Sequence, residues 1–146
     1  VGKKGTLGGI KTSYERKSRL VLARKVKSMK PREHAEVEKE MLAPLKVLSI
    51  TRDNGIENRD HEAVGVPAFF CDPYSSWQKG GVENANKMIR RYFPKGTDFR
   101  KVTQQKIDRV IAIINNKPRK ILGYRSALEV ARSAGIIKSE SVLTLG

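Results

Sequence analysis

The sequence predicts an α/β sandwich, with helices packed on a mixed sheet, and three observations carry that prediction. Short apolar runs of strand type stand in the first half, amphipathic segments at helical spacing dominate the second half, and the two kinds alternate within 146 residues, a length that suits one domain around one core. Residues 1–13, rich in Gly and Lys, read as a loop, linker or hairpin turn. Gly2, Gly5, Gly8 and Gly9 lack the following Gly-Lys-Ser/Thr that a phosphate-cradling loop needs. Leu20-Val21-Leu22-Ala23 with Val26 reads as a strand. Pro31 opens a helix at the position where its missing N–H costs nothing, Glu33 and Glu36 suit the helix dipole, Val37, Met41 and Leu45 line one face, and Pro44 disrupts the end. Val47 to Ile50 and Val66 to Cys71 are apolar runs of buried-strand type, the second closed by Asp72-Pro73. A helix over Gly81 to Phe93 places Val82, Ala85, Ile89 and Tyr92 toward the core. The next starts after the N-cap candidate Thr103 and buries Ile107, Val110, Ile111 and Ile114. The last begins with the capping box Ser126-Ala127-Leu128-Glu129 and stops at Gly135, leaving 136–146 as a tail. No internal repeat or second domain is visible, so residues 1–146 form a single unit.

Charge narrows the function. Thirty Lys+Arg against fifteen Asp+Glu leave +15 and a pI near 10.2. A domain this basic repels itself unless it meets a polyanion, and nucleic acid is the usual partner, bound through phosphates with release of counterions. No basic amphipathic helix with a Trp/Phe-rich face favours a membrane, and no apolar run approaches the roughly 20 residues that cross one. The single cysteine, Cys71, excludes an internal disulfide and fits a reducing cytosol; one Cys and two His fall short of a structural zinc site. Cys71 reads as a small buried hydrophobe, and His34 and His61 as surface residues.

Two carboxylates stand out. Asp53 follows a strand, and in open α/β sheets functional groups collect beyond the carboxyl ends of strands; Asp53-Asn54-Gly55 is equally a good turn sequence. Glu83 lies in the first turn of a helix, with Lys87, Arg90 and Arg91 at i+4, i+7 and i+8. A solvated face with a Glu83–Lys87 pair would give the same pattern. An acid among bases is also what phosphodiester chemistry requires, the acid holding a divalent metal and the bases the flanking phosphates. Lys79 lies between the two acids; Trp77 suits packing.

The stretch Thr51-Arg52-Asp53-Asn54-Gly55-Ile56-Glu57, then Phe70-Cys71-Asp72-Pro73-Tyr74-Ser75-Ser76-Trp77-Gln78-Lys79-Gly80-Gly81-Val82-Glu83-Asn84-Ala85-Asn86, closely resembles the integrase-core transposases of bacterial insertion sequences, in particular the group named for insertion sequence thirty. The resemblance continues through Ile89 to Asp98 and Asn115 to Tyr124, with Glu15-Arg16-Lys17-Ser18-Arg19 similar to the family's second-strand motif, so that it covers about Glu15 to Val130. It implies a ribonuclease-H-like fold and metal-dependent DNA cleavage and strand transfer in transposition. It implies an Asp-Asp-Glu set holding two magnesium (or manganese) ions, and DNA partners, the transposon ends and the target. Carried over by motif, Asp53 is the second acid and Glu83 the third, and the two should converge in space. The basic residues Lys79, Lys87, Arg90, Arg91, Lys95, Lys117, Arg119 and Lys120 would contact phosphates; a solvated loop is the plainer reading of 117–120. A homo-oligomer on DNA and a bacterial cytoplasmic, nucleoid-associated location follow from the same resemblance.

The sequence departs from the family at several places. Asn58 stands where an aromatic is usual, Val82 where an Asn usually precedes the Glu, and Ser126-Ala127 where Thr-Pro is usual. The family's first Asp falls a few residues before the position matching Val1, and its helix-turn-helix region has no counterpart here. The expectation is therefore an incomplete two-metal site and no cutting by residues 1–146 alone. Glu15 belongs to another motif and is not a substitute. Asp72 and Gln78 would shape the active-site loop. Two other readings stay open: a basic DNA-binding remnant without chemistry, and an RNA-binding protein, which would not need the carboxylates and would use exposed stacking aromatics.

Overall fold

Strands β1 (Gly9–Tyr14) and β2 (Val21–Val26) form an antiparallel pair, in register from Gly9↔Val26 to Tyr14↔Val21. The computed structural model describes residues 9–27, 31–47, 50–52, 68–70 and 80–137. Of the loop expected over 1–13, the part from Gly9 is corrected by β1, and residues 1–8 lie outside the described ones. From Gly9 onward the Gly- and Lys-rich stretch hides an alternation of Ile10, Thr12 and Tyr14 on one face, which becomes a strand once β2 supplies its partner. The hairpin turn carries the resemblance motif at 15–19. Glu15 N–H donates to Leu20 O at 2.8 Å and Arg19 N–H to Glu15 O at 2.8 Å. The Glu15 carboxylate accepts from the N–H groups of Lys17 (3.1 Å) and Ser18 (2.6 Å) and from the Ser18 hydroxyl. Glu15 is thus consumed by the turn, whose last residue, Arg19, takes a left-handed φ of 64°.

Pleating sends alternate side chains of the hairpin into two layers. On one face Ile10 and Val21 pack with helices α2 (Gly80–Arg90) and α3 (Gln104–Asn116), through Ala85, Ile89, Ile107, Val110, Ile111 and Ile114. On the other, Leu20 and Leu22 pack with Met41 of α1 (Pro31–Leu42), with Leu45, and with Ala127, Leu128 and Ala131 of α4 (Ala127–Ser133). Helix α3 is tied to β2 at both ends. Asn115, 3% exposed, accepts from Val21 N–H at 2.9 Å and donates to Val21 O at 2.8 Å, while Gln104 accepts from Lys25 N–H at 2.8 Å.

Strands β3 (Ile50–Arg52) and β4 (Ala68–Phe70) pair in parallel, Ile50 opposite Ala68. Both senses of pairing expected of a mixed sheet are therefore present, in two separate ladders among the described residues. Of the strand expected from Val47, Ile50 belongs to β3 and Val47 does not, packing instead against the Leu20–Leu22 layer; Leu48 and Ser49 lie outside the described residues. Helix caps follow the sequence closely: Thr103 accepts from Lys106 N–H at 3.2 Å and Ser126 from Glu129 N–H at 3.1 Å.

Three placements differ from expectation. Helix α1 ends at Leu42, so Leu45 buries itself from a following bridge to Ile137; Lys46 N–H donates to Ile136 O at 2.7 Å, which ties the first residues of the expected tail to the end of α1. Residues 138–146 lie outside the described ones. Helix α2 ends at Arg90, and the tight Tyr92 N–H to Ile89 O bond turns Tyr92 outward (45% exposed) while Phe93 takes the core place. His34, expected at the surface, is buried on α1, with Nδ1 3.4 Å from Lys11 Nζ, and Lys11 also pairs with Glu38 at 3.9 Å. The apolar periodicity of α1 gave no sign of this polar contact with β1. Among the described residues no helix is long and apolar enough to cross a membrane.

Candidate functional site

Helix α2 organises the site. Gly80 and Gly81 begin it, Glu83 stands in its first turn, and Ala85 and Ile89 anchor it on the core. At about 100° per residue, Glu83, Lys87 and Arg90 share one stripe, away from that anchor. Glu83 and Lys87 are both exposed. Ion pairs at this helical spacing form between Arg32 and Glu36 and between Arg125 and Glu129, but not between Glu83 and Lys87. On the flank of that stripe Asn86 faces β1, where the Thr12 hydroxyl donates to its Oδ1 at 3.0 Å. Sequence reading did not single out this bond, because its partners are 74 positions apart.

The predicted bases divide. Arg90 is partly spent on structure: its guanidinium donates to Phe93 O at 3.3 Å and Pro94 O at 3.4 Å, closing the end of α2. Lys87, Arg91 and Lys95 are exposed. Arg91 meets Lys117, Arg119 and Lys120 around a shallow hollow of about 330 Å³ between α2, the end of α3 and the loop that follows. The loop is shaped by a 3-10 turn at Lys120–Leu122 and by two successive left-handed residues, Gly123 (φ 66°) and Tyr124 (φ 64°). They turn the chain back so that Arg119 N–H donates to Arg125 O at 3.1 Å.

Asp53, Lys79, Asp72, Gln78, Trp77, Cys71 and His61 lie outside the described residues; β3 is described up to Arg52, immediately before Asp53. Among the described residues no three His, Cys, Asp or Glu side chains gather as a metal site.

No family model matches the chain. Curated proteins do. The chain is 38% identical over 141 residues to the transposase for insertion sequence element IS4351 of Bacteroides fragilis, covering 92% of this chain and 43% of that protein. It is 38% identical over 128 residues to transposase InsI for insertion sequence element IS30C of Escherichia coli (strain K12), covering 83% and 33%.

The chain is a homologue of the IS30-type transposases.

A third such transposase, for insertion sequence element IS1086 of Cupriavidus metallidurans, is 42% identical over 94 residues. The chain spans less than half the length of these three transposases. Among solved structures, the catalytic core domain of BIV integrase superposes with a TM-score of 0.67 at 20% identity, covering 86% of each chain. A chain of the simian T-cell lymphotropic virus intasome gives 0.68 at 18%, covering 87% of this chain and 49% of that one. This transposase homologue thus has the ribonuclease-H-like fold of integrase catalytic cores that the resemblance implied.

Proposed function

We propose that this chain is the catalytic core of a transposase that cleaves DNA strands and transfers them to new sites, with Asp53 and Glu83 as two of its metal-holding acids. The observation that carries the reading is Glu83: an exposed carboxylate, in no ion pair among the described residues, at the start of a helix with a basic face, in a chain homologous to IS30-type transposases. The donor chemistry fits magnesium or manganese, which prefer carboxylate oxygen and water. When bound, such ions supply Lewis acidity to the oxygens of an in-line phosphoryl displacement. The chain's own residues position the DNA. Lys87, Arg91 and Lys95 offer positive charge along α2 and its end, Lys117, Arg119 and Lys120 beside it, and Lys79 and Arg90 complete the set. Asn86, tied to Thr12, holds the rotation of α2 and with it the direction of Glu83. The partner is double-stranded DNA, transposon ends and target, engaged by a homo-oligomer in the bacterial cytoplasm.

The family resemblance implies a further acid ahead of the Glu15–Arg19 motif, and the first acid in residues 1–146 is Glu15, which the hairpin turn uses, so these residues alone are expected to bind DNA without cutting it. The test compares this chain with one extended upstream, on the same DNA ends with manganese. Nicking by the extended chain that Glu83→Gln or Asp53→Asn abolishes, with DNA binding retained, is the expected result. Nicking that survives Glu83→Gln overturns the site. DNA binding without nicking by either chain would favour the binding-remnant reading.

A further inference from the structure

The hollow beside α2 differs from a plain phosphate-binding surface. Its rim is cationic, from Arg91, Lys117, Arg119 and Lys120, but side chains of Met88, Ile114, Pro118 and Ile121 also line it. Ile121 is 62% exposed, an apolar side chain left in water on the 3-10 turn. Duplex phosphates would use the cations and leave the exposed Pro118 and Ile121 wet; Ile114 belongs to the core and Met88 is half-buried against it. An unstacked nucleotide uses both, its phosphate on the rim and the face of its base against Ile121 and Pro118, which removes apolar surface from water although no aromatic ring lines the hollow. The volume, about 330 Å³, lies at the small end of the range for small-ligand sites, which begins near 300 Å³. Asn84 also lines the hollow and can donate to and accept from a base edge.

The position on α2 adds direction. Asn84 and Met88 form the stripe next to that of Glu83, about 100° around the helix, and Arg91 follows one residue past its end. From Glu83 to Arg91 is roughly 12 Å along the axis, at about 1.5 Å per residue. A strand held in the hollow would therefore lie within a few nucleotides of a phosphate at Glu83. We infer that the hollow lined by Met88, Ile121 and the Arg91–Arg119 cations is a binding site for an unpaired nucleotide of DNA flanking the strand acted on at Glu83. This rests on the transposase reading and goes beyond it, by assigning an unpaired nucleotide next to the duplex, and not duplex phosphates alone, to this hollow.

The test uses the full chain and two labelled hairpin DNAs, one blunt and one with a three-nucleotide 3′ overhang, titrated at one fixed salt concentration. The overhang should tighten binding by about tenfold, the scale of covering one exposed isoleucine side chain. Ile121→Ser should erase that difference and leave the blunt Kd unchanged; its exposure lets it change without a core defect, which a thermal melt checks. Ile113→Ser, also exposed at 52% but not lining the hollow, should keep the advantage. Equal affinity for both hairpins, or an advantage that survives Ile121→Ser, overturns the nucleotide site and leaves the transposase reading standing. A loss of self-association in Ile121→Ser, with no change in the overhang advantage, would assign the hollow to a second copy and overturn it equally. Failure to bind either hairpin would overturn the DNA reading itself.

Discussion

Asp98 is a carboxylate whose partner is two residues away. Its oxygens accept from Arg100 Nε at 2.9 Å, Arg100 Nη2 at 3.0 Å and Arg100 N–H at 3.1 Å, so the carboxylate also caps the 3-10 turn Phe99–Lys101. The Arg100 side chain, followed by its backbone N–H, lowers the carboxyl from 3.8 to about 2. A native value below the unfolded one means that its contribution to stability is complete above pH about 4 and is lost as pH falls through about 2. Asp98→Asn should therefore flatten the fall in melting temperature between pH 4 and 2, measured against the unaltered chain. At the same scale, Thr12→Val removes the hydroxyl that holds Asn86 and should cost about 1 kcal/mol by chemical denaturation. In the extended chain it should lower turnover more than DNA affinity, and Thr12→Ser should restore turnover.

At the scale of elements, α3 is the most legible segment. Thr103 caps it and Ile107, Val110, Ile111 and Ile114 are buried as their spacing predicts. Thr103→Ala should cost about 1 kcal/mol, and Ile107→Ala, at a wholly buried site, about 2 to 5 kcal/mol; urea titration followed by circular dichroism distinguishes the two. Amphipathic helices can be read this way because their signal is local. Strand β1 could not, since Gly9–Tyr14 becomes a strand only through pairing with β2, and nothing in the Gly- and Lys-rich run announces the partner. Tyr92 and Phe93 show the same limit at a boundary: where α2 tightens after Arg90, one residue of rotation decides which aromatic is buried. Of the candidate site, sequence placed Glu83 on α2, but the helix stops one residue short of Arg91, and sequence could not show that Arg91 and the 117–120 loop share one hollow, or that the end of α2 recruits Arg90.

The whole molecule carries +15, and its DNA affinity should fall steeply with salt, log K dropping by about 0.9 per phosphate neutralised for each unit of log salt. Arg119→Ala should reduce that slope by about one while weakening all sequences alike; a slope unchanged in the variant would remove Arg119 from the phosphate contacts. The hairpin raises a different whole-molecule matter, that of association between chains. Among the described residues β2 has a strand on one side only, and a bare strand edge is a template for pairing with another molecule. The side chains of Asn115 and Gln104 occupy that edge at Val21 and Lys25, so α3 lies where an added strand would have to enter. The double change Asn115→Ala with Gln104→Ala should uncover the edge. Light scattering at raised temperature should then show faster aggregation than Ile107→Ala gives at matched loss of stability. The two amides that dock α3 on β2 would thus also shield this edge of a highly basic chain against pairing with another copy.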